Sequence, residues 1–133
     1  MILFQQPYLT IEYNEQIKCL SQHWNGYAKS EQFRLGIEKS IEIFKQKKPS
    51  KLISNTKELA IITNEDTQWA ATYATPIMVE NGLKHMAFVV PTNVFTQMSV
   101  DNFKNRSSSR LQIQYFDSLA KAQVWLGETL VSA

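Results

Sequence analysis

The sequence predicts an α/β fold, a mixed and mostly parallel sheet with helices packed on it, in the order β-β-α-β-α-β-α-β-α. Three observations predict it. Apolar residues alternate between a period of two and a period near four, so strands and amphipathic helices take turns along the chain. Proline, glycine and short polar clusters fall where the period changes. Strands separated by helices imply right-handed crossovers, and hence parallel neighbours. No repeat, low-complexity tract or linker interrupts the pattern, and a chain of 133 residues is expected to bury roughly two-thirds of the surface it exposes when unfolded. Residues 1–133 are therefore expected to form a single domain.

The elements follow in order. In "PYLTIEY" (7–13), Leu9, Ile11 and Tyr13 alternate with Tyr8, Thr10 and Glu12, which gives a strand with one face on the core. "IKCLSQHW" (17–24) is a second strand, and Asn14, Glu15 and Gln16 between them suffice for a hairpin. The first of the pair is expected as an antiparallel addition at or near an edge. "SEQFRLGIEKSIEIFKQKK" (30–48) sets Phe33, Ile37, Ile41 and Phe44 on one stripe of a surface helix that Pro49 stops. "KLISN" (51–55) is then a short, largely buried strand.

"TNED" (63–66) has the capping-box pattern, with Thr63 capping the first turn and Asp66 answering from the third position. Trp69, Tyr73 and Ile77 continue that helix, Pro76 kinks or restarts it, and Gly82 ends it. "KHMAFVVP" (84–91) is the most apolar strand and is expected at the centre of the sheet. A looser helical period in "NVFTQMSVDNFK" (93–104) and a polar loop "NRSSSR" precede the strand "LQIQYF" (111–116). Asp117 or Ser118 caps a last helix that buries Leu119, Ala122, Val124, Trp125 and Leu126 before Gly127.

A hydrophobic share of 44% and a charged share of 20% fit a globular chain. The net charge of +2 does not call for nucleic acid. Lys45, Lys47, Lys48, Lys51 and Lys57 do cluster, but the first three complement the carbonyl end of a helix. One cysteine, Cys19, leaves no internal disulfide and no thiolate pair for a metal, which favours a reducing compartment. "MILFQQPYL" has no basic leader, and "MAFVV" (86–90) is far short of the ~20 residues that span a bilayer. A cytoplasmic protein without a membrane span is the expectation.

No set of residues fixes an activity. His23 and His85 lack metal-ligand spacing and have no carboxylate nearby in sequence, so both read as ordinary strand residues. Cys19 reads as a small buried hydrophobe, and no glycine-rich phosphate loop is present. No catalytic residue, metal or cofactor is therefore expected, and the protein is not expected to be an enzyme. Trp69 and Trp125 lie on apolar helical stripes and are expected in the core, whereas Trp24 stands beside Asn25, Gly26 and Tyr27, which look like an exposed loop. If the helix-linked strands are parallel, their carboxyl ends gather Trp24, Asn25, Tyr27, Asn55, Thr56, Thr92, Asn93 and Asp117 on the edge where open α/β sheets bind ligands. Helix starts there would offer amides to an anion. The competing reading is that these residues are only caps and turns.

"HWNGYAKSEQFRLGIEK", "KLISNTKELAIITNEDTQWA", "HMAFVVP" and "FDSLAKAQVWL", in this order of elements, resemble the SpoIIAA-like family, relatives of the STAS domains of anti-sigma-factor antagonists. The likeness spans nearly the whole chain and rests on Trp24-x-Gly26, Phe33, Trp69, the apolar strand and Ala122-x-x-Trp125-Leu126. In the classical antagonists a phosphorylatable serine follows an acidic residue after the third strand. Here Asn55 with Thr56, and Thr63 at the next helix start, occupy that region without reproducing the pattern. The resemblance implies no cofactor. It implies a non-enzymatic regulatory or protein-interaction domain with an unidentified protein partner. Because such folds also resemble lipid carriers, the alternative is a module that binds a small molecule or lipid, with a small apolar or anionic ligand at the carboxyl ends of the strands. A homodimer that shields an exposed sheet edge is expected as well.

Overall fold

In the computed structural model, which describes residues 1–59, 63–92 and 111–131, six strands form one sheet in strictly sequential order. They are β1 (Ile2–Gln6), β2 (Leu9–Asn14), β3 (Cys19–Gly26), β4 (Lys51–Leu59), β5 (His85–Val89) and β6 (Gln112–Phe116). β1, β2 and β3 form an antiparallel meander, and β3 to β6 run parallel. The helices among the described residues are α1 (Ser30–Lys47), α2 (Asn64–Trp69), α3 (Thr75–Glu80) and α4 (Leu119–Val131), with a π turn (Ala70–Ala74) joining α2 to α3. The expected α/β class and mostly parallel sheet are present. The helix expected over 93–104 and the loop behind it lie outside the described residues.

The order differs from expectation at its start, where β1 makes the opening pair a three-stranded meander. "ILFQQ" lacks apolar alternation, and its residues are half-buried or exposed, so periodicity gave no sign of it. The β2–β3 turn is also longer than expected, with Lys18 in the left-handed region at φ 53°. β4 runs to Leu59, beyond Asn55, because its polar second half still pairs with β3 through Asn25↔Glu58 and Gly26↔Leu59. Asn55 and Thr56 are thus interior to a strand and do not follow one.

Adding parallel strands in one direction through crossovers of one hand puts the connecting helices on one face. α1 and the α2–π–α3 helix share that face, where Leu9, Ile11, Leu20, Trp24 and Leu52 pack against Phe33, Ile37, Ile41, Phe44 and Met78. α1 lies close because Gly36 presents no side chain. A Cβ there would collide with Leu9 and stand 2.8 Å from the Trp24 ring. α4 covers the other face, over Cys19, Ile53, Ala87, Val89 and Phe116, with Ala122 and Leu126 as its buried residues.

α4 also corrects an expectation. It continues through Gly127, and Val124 is 61% exposed and Leu119 39% exposed. Ala122 and Leu126, four apart, define the buried stripe, and Val124 between them falls on the far side of the turn.

The helix restarts at Pro76, as expected: α3 begins at Thr75 with Pro76 in its first turn, directly after the π turn. The π turn places the Thr75 amide on the Ala70 carbonyl, one residue further back than an α-helix would. This wider turn admits the proline ring, which would otherwise press on the carbonyl four residues before it. Gly82, at φ +115°, ends the helix as expected.

Candidate functional site

The structure does not bring all the described members of the expected carboxyl edge together. Asn55, Thr56 and Asp117 do converge. The Thr56 hydroxyl donates to the Val89 carbonyl at 3.2 Å, the Lys57 ammonium donates to the Asp117 carbonyl at 2.6 Å, and Asn55 accepts from the Lys57 amide at 3.1 Å. The first two bonds fasten β4 to the ends of β5 and β6, and the third is local to β4. Asn25 is exposed and donates its amide to the Tyr8 carbonyl at 3.0 Å, Tyr27 stands in solvent at 69% exposure, and Thr92 lies exposed beyond β5. Asn93 lies outside the described residues.

Trp24 is the clearest departure. It is 1% exposed, set 5.1 Å from the Phe33 ring and donating its indole N–H to Gln22 at 3.3 Å. The tryptophans expected in the core are the half-buried ones. Trp69 lies under the Arg34 guanidinium, 4.8 Å from its ring centre, and Trp125 lies beside Phe116 and His85.

The titratable groups are engaged in structure. Burial pushes the Cys19 thiol up to about 11, so it stays protonated at neutral pH. Burial lowers the pKa of the Lys51 ammonium, against an opposing pull from Cys19, and Lys51 donates to the Leu126 carbonyl at 2.8 Å. His85 is lowered by burial and by Lys51 and Lys84, which keeps it neutral. His23 has a carboxylate partner that its sequence neighbourhood did not show: Glu58 lies 3.8 Å away across the parallel β3–β4 pair. Both side chains are about half exposed or more, and solvent on that scale weakens such a pair.

What the folded chain adds is an apolar cavity of about 340 Å³ between the sheet and the helices of the α1 side. Strand alternation supplies its floor: Gln22 and Trp24 of β3, Leu52, Ser54 and Thr56 of β4, Met86 and Phe88 of β5, and Ile113 and Tyr115 of β6. Phe33 and Ile37 of α1 form one wall. The roof is the α2–π–α3 helix, through Thr67, Ala70, Ala71, Ala74, Thr75 and Met78. The small side chains of "AATYA", turned inward by the π turn, leave the space open. Phe88 and Tyr115 stack at 5.1 Å on the floor. Thr67, Ala71 and Ile113 are exposed at its margin.

Among the described residues no charged side chain belongs to these walls, and most of their polar atoms are already bonded. Gln22 donates to Ser40 at 2.7 Å and accepts from Trp24. Thr56, Thr67 and Thr75 each donate to a backbone carbonyl. Ser54, 6% exposed, is the exception: among the serine and threonine hydroxyls of the walls, it alone has no hydrogen-bond partner among the described residues. No fully buried side-chain nitrogen or oxygen among the described residues is left without a partner, so this hydroxyl opens onto the cavity space. Two depressions on the opposite face, of about 420 and 410 Å³, are lined by Glu12, Ser21 and Gln123, with Glu15 in the first and His23 in the second. They are polar grooves suited to water.

Sequence reasoning missed the cavity because its described walls come from four strands, α1 and the α2–π–α3 helix. Two local signs were present: a serine inside the buried run "KLISN", and the alanine-rich turn before Pro76.

No protein-family model matches the sequence, and no curated protein matches it. A crystal structure of an uncharacterised protein from the DUF3478 family with a SpoIIAA-like fold, from Shewanella loihica PV-4, superposes with a TM-score of 0.56 at 14% sequence identity, over 89% of this chain and 91% of that one. At that identity the likeness concerns the fold alone, and the chain has a SpoIIAA-like fold. No helix among the described residues is long and apolar enough to cross a membrane.

Proposed function

We propose that the protein is a binding module for a small, largely apolar molecule, held between the sheet and the α2–π–α3 helix. The observation that carries this reading is the cavity itself. Its volume of about 340 Å³ lies at the lower end of the ~300–1,000 Å³ usual for ligand pockets. Aromatic rings line its floor, with Met86 on the floor and Met78 on the roof, and methionine adapts its shape to a guest. Among the described residues that wall it there is no carboxylate, imidazole, amine or thiol, so its chemistry is that of holding a molecule and not of converting one. Of the two ligand types expected from the sequence, apolar and anionic, the described walls favour the apolar one, since an anion would find no counter-charge among them. The regulatory or protein-interaction role implied by the family resemblance would then operate through occupancy of this cavity.

The test is native mass spectrometry of the purified protein beside Ala70→Phe, which places a ring in the cavity from its roof. The parent should carry a retained small molecule or take up added toluene, and the variant, melting cooperatively, should do neither. Equal uptake by a folded Ala70→Phe protein would remove the cavity as the binding place.

A further inference from the structure

The geometry points to Ser54 Oγ as the polar anchor of this cavity, so that the molecule it takes is uncharged and carries a hydrogen-bonding group on an otherwise apolar body. This rests on the binding reading above and specifies the chemistry of its ligand. Ser54 faces the cavity from the middle of β4, between Leu52 and Thr56 on the same face of the strand. The residue is 6% exposed, and its hydroxyl, which opens onto the cavity, makes no bond to the described protein, whereas the threonine hydroxyls of the walls and the Gln22 amide are occupied. A hydroxyl can donate and accept at once. Thr56 Oγ1, which has given its proton to the Val89 carbonyl, remains an acceptor on the same face.

A guest hydroxyl or carbonyl beside Ser54 would therefore give that hydroxyl the partner it lacks among the described residues, while its apolar remainder meets Trp24, Phe88, Met78 and Met86. Among the described walls a carboxylate or phosphate would meet a neutral donor and no cation. Its desolvation would go uncompensated.

Three probes of similar size separate these terms: toluene has no polar group, benzyl alcohol has one hydroxyl, and benzoate is charged. Each is titrated into the intact protein, into Ser54→Ala and into Ala70→Phe, and followed by ligand-observed NMR. Ser54→Ala should weaken benzyl alcohol about five- to tenfold and leave toluene unchanged or slightly tighter. Benzoate should bind none of the proteins, and Ala70→Phe should lose both neutral probes. Ser54→Ala should also melt at or above the parental temperature, because it removes a hydroxyl that has no partner.

If Ser54→Ala affects toluene and benzyl alcohol alike, or neither, the anchor is wrong while the cavity stands as a binding place. A variant that melts several degrees lower would show the hydroxyl to be structural and overturn the anchor too. Benzoate binding that Ala70→Phe abolishes would overturn the requirement for an uncharged guest. Failure of both neutral probes to bind the parent would remove the binding reading itself, and the anchor with it.

Discussion

Asp66 is 3% exposed between the starts of α1 and α2, where burial alone would raise its pKa. Hydrogen bonds from Ser30 at 2.8 Å and Arg34 at 3.0 Å, together with the Arg34 charge and a bond involving Thr63, outweigh burial and hold it below the ordinary carboxylate value. The sequence suggested a capping-box partner for Thr63. Thr63 does cap the Asp66 amide at 3.1 Å, but the carboxylate turns to the neighbouring helix and ties the cavity roof to α1. A carboxyl group whose folded pKa is depressed stabilises fully above its unfolded value, near 3.9, and loses that contribution as pH falls through the folded value. Asp66→Asn should cost about 1–3 kcal/mol at pH 7, and the gap to the parent should narrow below about pH 4. Urea denaturation at pH 7 and pH 3 measures both, and a gap independent of pH would contradict the assignment.

At the scale of elements, α4 is the sole described helix on its face of the sheet. Truncation after Asp117 would uncover Ile53, Ala87, Val89 and Phe116 and would leave the buried Lys51 ammonium without the Leu126 carbonyl. Losing one buried leucine and a half-buried tryptophan costs several kcal/mol, a large part of the ~5–15 kcal/mol that holds a domain together. The truncated chain should show no cooperative thermal transition by circular dichroism. One that melted near the parental temperature would refute this account of α4. The α2–π–α3 helix is a different kind of element. Its alanines and widened turn forgo packing in order to leave space, and departures of this sort from a regular helix are frequent at functional sites.

At the scale of the molecule, the parts legible in the sequence were those set by local pattern. α1 showed its stripe of Phe33, Ile37, Ile41 and Phe44, β5 its apolar run, Gly82 its stop, and together they gave the α/β class and the parallel half of the sheet. β1 was not legible because an exposed outer strand needs no apolar alternation, and β4 overran its expected end because pairing to β3, not burial, extends it. Trp24 was misplaced for a physical reason. Its neighbours Asn25 and Tyr27 are exposed, and what buries its ring is Gly36, twelve residues on, which lets α1 approach. The cavity was least legible of all, since an unpartnered serine can be recognised only when its surroundings are known.

The central claim is that this cavity admits a small apolar guest, and methionine methyl NMR tests it most directly. Met78 and Met86 line the cavity, while Met1 lies at the groove on the opposite face. With methyl-labelled methionine, added toluene should shift the Met78 and Met86 resonances in a saturable way and leave Met1 in place. Unmoved Met78 and Met86 signals, or a Met1 shift of the same size, would contradict the account.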